Sequence, residues 1–127
     1  MADPQAIAAA LARAGVRVLF GVPGGGSNLE VIGACAAEGV AFALVHGETS
    51  GVIAAAVHGE ATGTLGAALC TRGPGLAAAA NGIAQAQLDR QPVVVVTDGT
   101  GHGSTHQRLD HAALGATVAK AVVTDPE

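Results

Sequence analysis

Val16-Arg17-Val18-Leu19-Phe20-Gly21-Val22-Pro23-Gly24-Gly25-Gly26-Ser27-Asn28-Leu29-Glu30 is the stretch on which the fold turns. Val16 to Phe20 carries the β-branched and aromatic residues that suit a strand. Gly21 to Gly26 is a glycine loop. Ser27 and Glu30 match the S-x-x-E capping box and predict a helix start, and Gly39 predicts its end. Strand, glycine loop and capped helix in direct succession are the opening of a β-α-β unit. Upstream, Asp3 as N-cap and Pro4 at the first helical position predict a helix, with Ile7 and Leu11 on one face and Gly15 as its stop.

Downstream the alternation continues. Ala41 to Val45 reads as a second strand, and an Ala-rich helix follows from about Thr49 to Thr62, closed by Gly63. Leu65 to Cys70 is a third strand. Thr71 to Gly75 is a turn, and Leu76 to Leu88 a helix. Val93 to Thr97 is an uninterrupted β-branched run, as expected of a parallel strand covered on both faces. A Gly-rich loop, Asp98 to Thr105, precedes a short helix near Asp110 to Leu114 and a last strand near Val118 to Val123. The pattern predicts a single α/β domain over residues 1–127, a three-layer α/β/α sandwich with a mostly parallel sheet. Ligands in such folds gather at the carboxyl ends of the strands, so the loops 21–26, 45–48 and 71–75 are the candidate site.

Composition narrows the function classes. The 127 residues include only two aromatic ones, Phe20 and Phe42, so Ala, Val, Leu and Ile must build the core. Half the residues are hydrophobic and 13% are charged, which argues against disorder, since a disordered chain has low hydrophobicity and high charge. A formal net charge of −4 argues against a nucleic-acid surface. Sparse charge on a small apolar chain suggests a surface covered by a partner. No apolar run approaches a membrane span, Met1 to Gln5 lacks the basic start of a signal peptide, and a cytoplasmic location is the default expectation. Cys35 and Cys70 stand in apolar stretches without metal-ligand spacing and are expected as buried small hydrophobes.

Glu48 follows the apolar run Phe42 to Val45 and enters a helix that is almost free of charge. A carboxylate there is stabilised by the helix dipole, typically by about 0.3–1 kcal/mol. It reads either as a capping acid or as a partly buried group that exchanges a hydrogen bond with a ligand nitrogen. His46 would line the same pocket, and His58, in mid-helix, reads as structural. His102, His106 and His111 lie in or after one loop without a metal-binding spacing and read as solvated or hydrogen-bonding histidines. The loop 21–26 is neither a dinucleotide fingerprint nor a P-loop, and a structural tight turn is the simpler reading of it taken alone.

Five segments in order, GVRVLFGVPGGGSNLEVI (15–32), VHGE (45–48), ATGTLGAALCTRGPG (61–75), NGIAQAQLDRQPVVVVTDG (81–99) and HQRLDHAALGATVAKAV (106–122), carry a resemblance over almost the whole chain. They resemble the N-terminal pyrimidine-binding (PYR) domain of thiamine-diphosphate-dependent enzymes of the acetolactate synthase and benzoylformate decarboxylase type. The resemblance implies a role for each matching position. Glu48, fifteen residues before Gly63, stands where the family's catalytic glutamate hydrogen-bonds a pyrimidine nitrogen of the cofactor and activates it toward a 2-oxo acid. Gly24 and Gly25 would lie near the cofactor's reactive end, and Gly73, Pro74 and Gly75 near the pyrimidine. His106 and Gln107 match a His-Gln segment at the mouth of the site, and with His46 they are the substrate-side candidates.

The resemblance also implies partners. In the family a separate diphosphate-binding (PP) domain or subunit holds the diphosphate and magnesium, so no metal is assigned to this chain. The chain is expected to act in a homo- or hetero-oligomer as part of a decarboxylase or carboligase (a lyase or transferase), and to be inert alone. The family's PYR domain has a sheet of order 2-1-3-4-6-5, and the 127 residues are expected to lack its last helix and sixth strand, as a fragment or a subunit of a split enzyme. Gly47 in place of the family's histidine, Ala77 and Ala78 in place of Thr-Asn, and His58-Gly59-Glu60 in place of Tyr-Ala-Arg are departures. They support an alternative reading as a non-catalytic interaction or regulatory relative. An unrelated mononucleotide-binding module using loop 21–26 would explain none of the other segments.

Overall fold

A computed structural model of the chain describes residues 3–99 and 106–124. The first helix, α1 (Pro4–Arg13), starts as its sequence dictates, with the Asp3 carboxylate accepting from the Gln5 amide at 3.2 Å and Pro4 in the first turn. Strand β1 (Val18–Gly21), helix α2 (Asn28–Ala37), strand β2 (Ala41–Leu44), helix α3 (Glu48–Thr62), strand β3 (Gly66–Cys70), helix α4 (Pro74–Leu88), strand β4 (Val93–Thr97) and helix α5 (His111–Val118) follow.

The four strands form one parallel sheet of order β2-β1-β3-β4. Side chains alternate across it, as the strand period of two requires. Leu19, Ala67 and Leu69, joined by Val94 and Val96, bury against Leu11 of α1 and Val31 and Cys35 of α2. Phe20, Ala68, Cys70, Val93 and Val95 face the other way, onto Val52, Ala55, Leu76, Ala79 and Ile83 of α3 and α4. These are the three layers expected. The β-branched run 93–97 is packed on both faces yet only half-buried, because no strand pairs with its outer edge among the described residues. Both cysteines are buried and free.

Two expectations are corrected. Residues 118–123 do not form a strand: α5 runs on to Val118, and an extended Ala119 ends it. Val118 packs with Leu114 against the α4 side of the sheet, and that apolar contact is made equally well by a helix. The S-x-x-E capping box of α2 is also not used. Ser27 occupies the N-cap but makes no side-chain cap bond, because Asp98, just past β4, competes for it. The Asp98 carboxylate accepts from the Ser27 amide at 3.0 Å, from the Ser27 hydroxyl, and from Asn28 Nδ2 at 3.4 Å. A buried carboxylate from across the sheet thus supplies the anion that the amino end of α2 attracts, and it fastens the glycine loop to the end of β4. The expected loop 98–105 lies mostly outside the described residues, as does His102.

Candidate functional site

β1 continues to β2 on one side, and β3 lies on its other side. The chain therefore diverges between β1 and β3, and this switch point is where the carboxyl ends of a parallel sheet leave a crevice. The loops after these two strands meet there. Gly24 is half-buried over Thr71; a Cβ on Gly24 would stand 2.7 Å from the Thr71 Cβ. Gly25, one residue on, is exposed with nothing within 4 Å of its side-chain position. The two glycines assigned together are thus placed differently, one packed and one open.

Glu48 reaches the same crevice from β2. Gly47, in extended backbone (φ −162°, ψ 157°), is the N-cap of α3, and Glu48 is the first residue of that helix. Its side chain is half-buried, and no described residue hydrogen-bonds its carboxylate. The start of α4 approaches it closely because residue 75 is glycine: the Cβ position of Gly75 is 3.7 Å from Glu48 Oε1 and 2.6 Å from Thr71 Cγ2. Thr71 Oγ1, in the same wall, is buried without a hydrogen-bond partner among the described residues. The neighbours Thr49 and Ser50 bond elsewhere, Thr49 Oγ1 to the Ala78 carbonyl at 2.6 Å and Ser50 Oγ to the Gly47 carbonyl at 2.9 Å. The start of α3 is thereby fixed without use of the glutamate carboxylate.

Gly73 and Pro74 open α4. Gly73 is its N-cap at φ +66°, ψ −116°, a region closed to residues with a side chain. It abuts the backbone of Gln107, whose carbonyl oxygen a Cβ on Gly73 would overlap. Gln107 itself has φ +58°, so the His-Gln segment is brought against the Gly-Pro-Gly turn through its backbone. His106 and His46 are exposed, and neither side chain is hydrogen-bonded among the described residues. His58 lies with its ring centroid 5.6 Å from that of Phe20, in keeping with a structural role. Two residues in this region carry a connection that sequence reading missed. Asp98 fastens the glycine loop, and His111 Nε2 accepts from the Gly73 amide at 2.9 Å. His111 shows in the sequence only as a loop-proximal histidine.

Burial pushes the Cys70 thiol up from 9.0 to about 11, with the charges of Glu48 and Asp98 adding a smaller push. Cys70 is therefore a neutral thiol at pH 7, and a packing residue in the floor of the site rather than a nucleophile. In the unfolded chain this thiol ionises at lower pH than in the fold. Between those values the unfolded state binds fewer protons, and stability falls as pH rises. We expect urea unfolding to show a loss of roughly 2–3 kcal/mol attributable to Cys70 between pH 9 and pH 11, absent from Cys70→Ala. Parallel pH profiles for the two proteins would contradict this assignment.

The family model described as "Thiamine pyrophosphate enzyme, N-terminal TPP binding domain" matches residues 3–119. The chain belongs to this family. No curated protein matches the chain at a significant level. The match extends from the N-cap of α1 to the end of α5 and so contains every element that builds the crevice. In this TPP binding domain the segments 21–26, 45–48 and 71–75 are the loops that converge, as the strand order requires. Among the described residues no helix is long and apolar enough to cross a membrane.

Whether the residues present suit the family's cofactor can be judged on their chemistry. An aminopyrimidine offers ring nitrogens, an exocyclic amine and flat apolar faces. Among the described residues, the crevice offers a carboxylate at Glu48 and a hydroxyl at Thr71 without hydrogen-bond partners, and Gly24, Gly73 and Gly75 let its walls pack closely on Thr71 and Gln107. The donor set fits that half of the cofactor. Among the described residues, no three His, Cys, Asp or Glu side chains converge as metal ligands do.

Proposed function

We propose that this domain binds the aminopyrimidine half of thiamine diphosphate at the crevice between β1 and β3, with Glu48 as its activating acid. The domain would do so in a 2-oxo-acid decarboxylase or carboligase completed by a diphosphate-binding domain or subunit. The observation that carries the reading is the Glu48 carboxylate itself: half-buried at a helix start, unpaired among the described residues, and beside Gly75 of the Gly-Pro-Gly turn. A charge-assisted hydrogen bond that such a carboxylate accepts from a protonated ring nitrogen is roughly twice as strong as a neutral one, and exclusion of water strengthens it further. Glu48 would accept and return a proton at that nitrogen. Gly73 to Gly75 would hold Gln107 and Thr71 close against the start of α4 beside the ring. Thr71 would offer its hydroxyl within the wall, and Gly24, held on Thr71, would set the height of the glycine loop above the ring. The bound cofactor supplies the electron sink for cleavage next to a carbonyl.

The diphosphate and its magnesium would be held by the partner domain. His46 and His106, both exposed, would meet substrate, while Gln107 would contribute its backbone to the wall. Buried free cysteines agree with a reducing, cytoplasmic setting. A second reading, a non-catalytic interaction or regulatory relative, is favoured by Ala77 and Ala78, which expose methyl groups on the first turns of α4 and add no polar contact beside the ring. Calorimetry with thiamine diphosphate, magnesium and a diphosphate-binding domain separates the two. Cofactor uptake that requires both proteins supports the proposed function. Assembly of the two proteins without cofactor uptake supports the second reading.

A further inference from the structure

We propose that His111 is the positioning residue of the pyrimidine side. Its imidazole accepts from the Gly73 amide and so holds the turn 73–75 in the conformation that sets Gly75 beside Glu48. This inference rests on the reading of Glu48 given above.

The backbone of Gly73 needs an external restraint. It lies at φ +66°, ψ −116°, outside both helix and strand geometry, and it is buried. As N-cap it contributes its carbonyl to α4, accepting from the Ala77 amide at 3.0 Å. Its own amide precedes the helix and has no helical acceptor. The one acceptor the described residues give that amide is His111 Nε2, at 2.9 Å. A buried backbone donor left without an acceptor is costly, so this imidazole decides whether the turn is comfortable in the observed state.

The imidazole is itself fixed. His111 is the first residue of α5, whose N-cap, Asp110, accepts from the Ala113 amide at 2.9 Å. Leu114 and Val118, on the face of α5 that carries one and two turns from His111, pack into the cluster of Leu76, Ala79 and Ile83 on α4. Helix α5 is thus docked on α4 by apolar contact and returns a hydrogen bond to the residue that starts α4. Two residues beyond Gly73, the Cβ position of Gly75 is 3.7 Å from Glu48 Oε1. A shift of the turn would therefore be felt at the carboxylate. Because Gly73 donates, Nε2 must be unprotonated and Nδ1 must carry the proton. A ring protonated at both nitrogens cannot serve.

The test uses the full chain without cofactor, so its outcome does not depend on whether Glu48 binds a pyrimidine. Nitrogen NMR of the wild-type imidazole is expected to place the proton of His111 on Nδ1. Amide exchange at Gly73 is expected to rise about tenfold or more in His111→Ala. In that variant the Gly75 amide and the Glu48 side-chain carboxyl carbon are expected to shift, while the β1–β4 amides keep their positions. His111→Gln, whose amide oxygen can accept in place of Nε2, is expected to keep the Gly75 and Glu48 signals at their wild-type positions. A proton on Nε2 in the wild type overturns the proposal. So do Gly75 and Glu48 signals that stay in place in His111→Ala. Should His111→Ala not fold, the wild-type tautomer and the Gln variant decide: Gly75 and Glu48 signals displaced in His111→Gln count against the proposal.

Discussion

Glu48→Gln is expected to lower turnover of a 2-oxo acid by roughly 100- to 10,000-fold when the chain is assembled with a diphosphate-binding domain, the range for loss of a positioned acid or base. The substitution keeps the shape of the side chain and its capacity to hydrogen-bond. It removes the negative charge and the ability to take up and return a proton. Stability should barely change, because Glu48 is half-buried at the first position of α3 and no described residue depends on its carboxylate. Loss of its charge from the helix start should cost only about 0.3–1 kcal/mol. Comparing turnover with the thermal midpoint of the same variant therefore isolates chemistry from folding. Undiminished turnover would remove Glu48 from its assigned role.

The largest structural effect is expected from Gly66→Ala. Gly66 begins β3, the strand at the centre of the described sheet together with β1, and helix α3 lies directly on it. A Cβ at this position would overlap the Ala55 carbonyl oxygen and stand 2.6 Å from the Ala55 carbonyl carbon. These are helix backbone atoms that cannot rotate away. Gly59 makes the reciprocal approach from the helix, with its Cβ position 2.6 Å from the Gly66 amide nitrogen and 2.8 Å from the Pro92 carbonyl oxygen. A single methyl group would have to lift α3 off the sheet, and α3 carries Glu48. Overpacking ordinarily costs about 1–3 kcal/mol, and a clash with fixed backbone belongs at or above the upper end. A domain of this kind has only about 5–15 kcal/mol in total, so Gly66→Ala should unfold at much lower urea or accumulate as insoluble protein. A midpoint within experimental error of wild type would show that α3 can move away from β3 at little cost.

The sequence made the sheet legible because local signals and tertiary packing agree there. Val93 to Thr97 matches β4 residue for residue, and Asp3-Pro4 starts α1 as its chemistry requires. Gly15, Gly39 and Gly63, all at positive φ, lie where the helices were expected to stop. Glu48 stood out because it follows an apolar run, enters a helix almost free of charge, and stands at the position of the family's glutamate. The failures share a cause. Ser27 and Glu30 have the spacing of a capping box, but the decisive acceptor, Asp98, is 71 residues away in the chain, and no local pattern reports it. Val118 to Val123 has strand-like composition, yet α4 offers an apolar face that a helix fills as well. His111 looked like one histidine among several because its partner is a backbone amide 38 residues earlier. Backbone donors leave no mark on residue identity.

The central claim is that the Glu48 carboxylate meets a ring nitrogen of the aminopyrimidine. The most direct measurement is nitrogen NMR of thiamine diphosphate labelled in its pyrimidine ring, bound to the chain together with magnesium and a diphosphate-binding domain. With wild-type chain, one ring nitrogen should move far from its position in free cofactor, as a nitrogen does when it shares or gains a proton. With Glu48→Gln that signal should return most of the way toward the free position while the cofactor stays bound. The same displaced signal in both proteins would contradict the claim.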